Sequence, residues 1–330
     1  MAWRRKPPIA GMGDVFLLKD LLFSVGTVAP LLFVMAAGYV ARRLGIMRTE
    51  GVKQANSAVF HVFLPIMLGL NVMETQHSQA MEGGVLLYAM GAVLLTFMVM
   101  ALLARRVSGE ARLSGVFIQG VARSNYAIYG IPLVMQIYPA ADISLAALMV
   151  VAVVPLFNVL STIVLMVYSG KAVRLTGIIR GVLLNPLIIG TLLGFLLWQL
   201  GVTLPAVVHT PLKMLASIAT PLALFLLGAS LDFAKARVNG RLLWLGVMGR
   251  LVMVPLIFLG IAVALGIRDM SLAVLIAVFA SPTAVSSYPM AQQIGGDTDY
   301  AAAQVVFTTA LSSLTVFLWV FAAKAAGFLR

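Results

Sequence analysis

Cysteine is absent from the 330 residues, which excludes disulfides, thiolate metal sites and cysteine nucleophiles. Charge is also scarce: Asp, Glu, Lys and Arg make up 10% of the chain, where a soluble domain carries about 25%. The eleven acidic residues all fall outside the long apolar runs or at their ends. A proton relay built on a buried carboxylate therefore has no residue to use, and a carboxylate-based sodium site at mid-membrane is weakened. The sequence has neither a Gly-rich phosphate loop nor a metal-ligand cluster. No cofactor or metal is implied, and energy from ATP would have to come from another chain. The Ser-rich stretch around Ser286 and Ser287 lacks a partner base, since His77 and His209 lie in expected outer loops. No enzymatic activity is expected.

What fills the chain is apolar. Hydrophobic residues make up 62% of it, and the mean hydropathy is +1.04. A soluble domain is roughly 45–50% apolar, so a soluble enzyme, a disordered chain and a nucleic-acid-binding domain are excluded. A helical span needs about 20 apolar residues, and these runs lack the strict alternation of barrel strands. The expected fold is an all-α polytopic membrane protein. Its ten transmembrane helices lie near 21–41, 54–73, 84–104, 114–138, 143–168, 182–201, 211–231, 242–266, 271–294 and 300–323. The net charge of +12 then belongs to loops facing the cytoplasm, with no nucleic acid as partner. Thirteen Lys and Arg residues sit in the odd-numbered loops, against Arg268 alone in the even ones. Both termini are therefore expected outside. Arg4, Arg5, Lys6 and Lys19 run against this pattern; a translation start at Met12, with Asp14 and Asp20 offsetting Lys19, reconciles them.

The chain also repeats itself. A shift of 156 residues carries Pro30, Gly38, Gly45 and Pro65 onto Pro186, Gly194, Gly201 and Pro221. A shift of 157 carries Ser124, Pro132, Gln136 and Asp142 onto Ser281, Pro289, Gln293 and Asp299. The expected organisation is an N-terminal extension (1–20), a first five-helix repeat (21–168), a short cytoplasmic connector (169–181) and a second five-helix repeat (182–330). An odd number of spans per repeat inverts the second relative to the first. That is the inverted-repeat plan of secondary transporters, whose substrate site lies between the repeats at mid-membrane.

The most polar, Gly/Pro-interrupted stretches inside any span occupy matching places. They are Ser124-Asn125-Tyr126-Ala127-Ile128-Tyr129-Gly130-Ile131-Pro132 in the fourth span and Ser281-Pro282-Thr283-Ala284-Val285-Ser286-Ser287-Tyr288-Pro289 in the ninth. Proline breaks a helix before itself and fits the first turn of a new one. Breaks are therefore expected at Pro132 and Pro289, with free N–H groups that favour an anion such as a carboxylate. A single such break reads more simply as a kink; two at matching positions read as a site. Asn125 offers both donor and acceptor atoms and is the first candidate for substrate contact, with Thr283, Ser286 and Ser287 as counterparts. Tyr126 and Gly130 complete the fourth-span candidates. His61, an imidazole well inside an expected span, is a candidate proton carrier. Gln136 and Gln293 either face the cavity or bond between helices. Arg123 adjoins Asn125 and is placed to attract an anion. Arg250, near a cytoplasmic loop, is expected to snorkel outward.

At these residues the chain resembles the auxin efflux carrier family, including its bacterial, malonate-transporter-like members. The matching stretches are Ala29–Leu44 (APLLFVMAAGYVARRL), Phe63–Leu68 (FLPIML), Arg123–Leu133 (RSNYAIYGIPL), Asn185–Gly194 (NPLIIGTLLG), Thr220–Leu231 (TPLALFLLGASL) and Ser281–Gln293. The resemblance covers nearly the whole chain from Gly13. It implies two five-helix repeats, a scaffold plus a transport domain, fourth and ninth helices that cross at prolines matching Pro132 and Pro289, and often a homodimer. It implies an organic anion as substrate, moved by an elevator-like mechanism, with Asn125 at the polar position of the fourth-helix motif. The expected function is a secondary transporter of a small carboxylate or dicarboxylate in the cytoplasmic (inner) membrane, with a proton or sodium as coupling ion. The alternatives are a sodium-coupled symporter of the bile-acid type, which shares this general architecture, and a membrane sensor without transport.

Overall fold

Long apolar stretches leave the backbone no solvent to bond with, so it bonds to itself. In the computed structural model, which describes residues 29–74, 83–138, 144–170, 175–231 and 240–329, the regular structure is helical apart from one isolated bridge. The expected N-terminal extension and its basic residues lie outside the described residues.

The helices follow the apolar runs of the sequence. In chain order they are α1 (29–43), α2 (Thr49–Ala58), α3 (Leu64–Met73), α4 (Gly83–Ser108), α5 (Ala111–Ala122), α6 (Tyr126–Ile137), α7 (Ser144–Val167), α8 (Leu175–Leu183), α9 (Pro186–Gln199), α10 (Ala206–Ser230), α11 (Gly240–Met248), α12 (Val254–Ala264), α13 (Asp269–Ala280), α14 (Ser287–Ile294) and α15 (Thr298–Ala325). Two wide π turns, Val59–Phe63 and Gly249–Met253, join α2 to α3 and α11 to α12 without interrupting them. By length and composition six helices can cross a membrane among the described residues: 49–73, 83–108, 145–167, 206–230, 240–264 and 298–325. The pair α8 and α9, bent by 54°, makes a seventh. Residues 175–181, expected in the connector, are thus helical. The fourth and ninth expected spans are each two short helices, α5 with α6 and α13 with α14.

Local chemistry sets several of these boundaries. Asn185 caps α9, its side chain accepting the Leu187 N–H at 2.9 Å, and Pro186 occupies the first turn, where it has no bond to lose. Asp297 caps α15 in the same way, accepting from the Tyr300 N–H at 2.8 Å. Gly295 ends α14 in the left-handed conformation at φ 96°, which costs glycine little.

Packing is densest within two groups of helices. In one, α1 to α3 pack with α9 and α10; in the other, α4 to α7 pack with α11 to α15. Backbones within the first group nearly touch. Gly38 of α1 lies against the Phe225 carbonyl of α10, and Gly228 of α10 against the Met35 carbonyl of α1. Gly69 of α3 lies against Gly190 of α9, and Gly194 of α9 against the Gly69 carbonyl. A side chain at any of these glycines would collide with main chain, so the stripes fix how closely the helices approach.

Candidate functional site

The two broken spans cross. Their breaks, at 123–125 and 281–286, run antiparallel: Ser124 pairs with Thr283 in the isolated bridge, and the Asn125 N–H donates to the Pro282 carbonyl at 2.8 Å. Pro282 explains the second break, because the residue before a proline is pushed out of the helical region. Ser281 is extended accordingly, at φ −62° and ψ 150°. The first break has no proline beside it. Arg123 is extended at φ −88° and ψ 118°, and Asn125 takes the N-cap position of α6, a place its residue type favours.

Only one of the two prolines marks its break as expected from sequence: Pro289 follows the second break, whereas the first break lies well before Pro132. Pro132 sits inside α6 and is exposed, while Pro289 lies buried in the first turn of α14. Pro132 cannot donate to the helix ladder, yet α6 runs through it without a break. The helix starts that face the crossing are at Tyr126 and Ser287.

A cavity of about 30 Å³ opens beside the crossing. It is lined by Arg123, Ser124 and Asn125 with Ala284, Val285 and Ser286 of the two breaks, by Val154 and Phe157 of α7, and by Leu64, Met67 and Leu68 of α3 and Thr220 and Ala223 of α10. Both helix N-termini, at Asn125 and Ser286, therefore open onto the same space. Arg123, 3% exposed, donates to Asn158 Oδ1 at 2.6 Å, to Ser286 Oγ at 2.8 Å and to the Met290 sulfur at 3.0 Å. All three partners are neutral. Among the described residues no carboxylate pairs with Arg123. The Ser124 hydroxyl and the Asn125 amide nitrogen are buried at this wall without a hydrogen-bond partner among the described residues. Such groups are costly in an apolar interior unless something completes them.

Of the residues singled out from sequence, Arg123, Asn125 and Ser286 meet at the cavity. Thr283 is buried next to it, bonding the Gly120 carbonyl at 2.6 Å through its hydroxyl. Ser287 is buried but does not line the space. The Tyr126 hydroxyl turns away to the Ala146 carbonyl at 2.7 Å, and Gly130 lies under the Tyr126 ring. His61 is exposed, its ring nitrogen 2.9 Å from the Ser57 carbonyl oxygen. Gln293 is exposed and Gln136 half-buried, and neither lines the cavity. Its neighbour Gln292 is the glutamine turned inward, bonding Asn56 and Tyr288.

Sequence reasoning missed Asn158, which anchors Arg123 and begins a buried polar chain. Its carbonyl accepts from Thr162 at 2.8 Å, and Thr162 accepts from the α9 cap Asn185 at 2.9 Å. A polar amide in the middle of an apolar run was the signal available. Arg250 is a correction. It does not snorkel but is 1% exposed, because five backbone carbonyls at the crossing bind its guanidinium.

A profile of the membrane transport protein family matches residues 23–320. The chain belongs to that family. This is the auxin efflux carrier grouping that the motifs resembled, and it makes the chain a membrane transporter. An uncharacterized transporter of Methanothermobacter thermautotrophicus is 24% identical over 302 residues, covering 90% of this chain and 97% of that protein. The family match spans both broken helices and all the residues that line the cavity.

Proposed function

We propose that the protein is a secondary transporter that carries a small organic anion, a mono- or dicarboxylate, at the crossing of its two broken helices. The observation that carries this reading is the uncompensated charge of Arg123, buried against neutral partners at the wall of the cavity. Each helix N-terminus adds roughly half a positive charge, and two of them face the same space. Roughly two positive charges therefore await a ligand of one or two negative charges. Ser124 and Asn125 supply the hydrogen-bonding groups that would orient it.

A cavity of about 30 Å³ has room for roughly two waters, so a carboxylate of several heavy atoms enters only when the walls part. The two helix groups supply the means. Arg123, Asn125 and Ser286 belong to one group, and Leu64, Met67, Leu68, Thr220 and Ala223 to the other. Sliding the first against the second would expose the site on alternate sides, as an elevator does. The packing supports ten spans in two inverted repeats: α1 meets α10 as α9 meets α3, through Gly38 and Gly194, which the sequence repeat superimposes. The test is counterflow in proteoliposomes loaded with unlabelled carboxylates. Accumulation of labelled carboxylate in wild type, lost in Arg123→Gln, supports the reading; equal accumulation in both overturns it.

A further inference from the structure

Arg250 sits in the π turn between α11 and α12 and does not line the cavity. Its Nε donates to the Ser281 carbonyl at 2.8 Å. One terminal nitrogen donates to Val121 at 3.2 Å and Ala122 at 3.4 Å, and the other to Val278 at 3.0 Å and Phe279 at 2.8 Å. A guanidinium has five N–H donors, and here five carbonyl oxygens meet it. Those oxygens are the free C-terminal ends of α5 and α13, the halves of the broken spans that precede the breaks. Each helix C-terminus carries roughly half a negative charge. Together they amount to about one, which the single charge of Arg250 offsets.

Convergent half-helix carbonyls are the kind of donor set with which transporters coordinate a coupling sodium ion. We infer that Arg250 is a built-in cation occupying that position, so the crossing holds its shape without a bound sodium ion and the carrier is sodium-independent. The inference rests on the transporter reading above and says what the coupling ion is not. It assigns Arg250 a positioning role: it touches no cavity wall, yet it fixes the two helix ends whose continuations present Arg123, Asn125 and Ser286 to the ligand. The wide turn around Gly249 is what points Arg250 inward, since a π turn adds a residue without ending the helix.

The test needs no substrate, so its failure and the failure of the anion reading are separable. Melting temperatures of the purified protein are measured in sodium, choline and low-millimolar guanidinium chloride at constant ionic strength. Wild type should melt at the same temperature in sodium as in choline. Arg250→Ala, with its carbonyls uncovered, should melt lower in choline and recover by several degrees as sodium or guanidinium is added, because a ligand bound only by the folded state stabilises it. Arg250→Lys, which keeps the charge, should melt below wild type yet ignore sodium. If Arg250→Ala yields no folded protein, Arg250→Gln takes its place and must show the same cation response. Sodium-specific stabilisation of wild type would overturn the inference, as would an alanine or glutamine variant that responds to neither sodium nor guanidinium beyond choline.

Discussion

Two arginines divide the work at the crossing. Arg250 spends all its donors on backbone at the helix ends, whereas Arg123 bonds only neutral groups and, in the proposed reading, keeps its charge for the ligand. Losing a hydrogen bond to a charged partner costs roughly 1.5–3 kcal/mol, about 10- to 150-fold in affinity. Arg123→Gln and Asn125→Leu should each weaken carboxylate binding by about that factor while the melting temperature of the unliganded protein stays near wild type. Isothermal titration with the best carboxylate checks this; unchanged affinity in both variants would place the ligand elsewhere. The residue types at this site were legible in the sequence, because a cation and an amide inside an apolar run stand out. The partners were not. Asn158 and Ser286 come to Arg123 from 35 and 163 residues away in the chain, and only tertiary packing decides that Arg250 finds carbonyls before it finds water.

At the scale of elements, the close helix contacts depend on having no side chain. In Gly228→Ala the new methyl group would overlap the Met35 carbonyl, whereas at Gly91 of α4 it would meet open space. Overpacking costs typically about 1–3 kcal/mol, so Gly228→Ala should lower the melting temperature by several degrees and Gly91→Ala should not. Equal melting temperatures would show that α1 and α10 can separate at no cost. The apolar runs alone fixed where helices form, and the matched polar stretches fixed which spans break. The position of each break was less legible. Pro282 forced one, but Pro132, the more conspicuous signal, lies within a continuous α6. The break before α6 depends instead on Arg250 and the Ser124–Thr283 bridge, contacts that local propensity does not encode.

At the scale of the whole molecule, loop charge implies an orientation and the buried charge implies a cargo. Thr176 is exposed on α8, within the stretch that the distribution of Lys and Arg assigns to the cytoplasm. Thr176→Cys, in a chain with no other cysteine, should resist an impermeant maleimide in intact cells and react after the membrane is opened. Labelling before opening would invert the orientation. The central claim is that the crossing binds an organic anion through Arg123. The most direct measurement is a thermal-shift panel of mono- and dicarboxylates, neutral analogues and amines against wild type and Arg123→Gln. The account predicts that a carboxylate raises the melting temperature of wild type, that its neutral analogue and the amines do not, and that Arg123→Gln loses the response. Stabilisation by an amine or a neutral analogue instead, or an undiminished carboxylate response in Arg123→Gln, would contradict it.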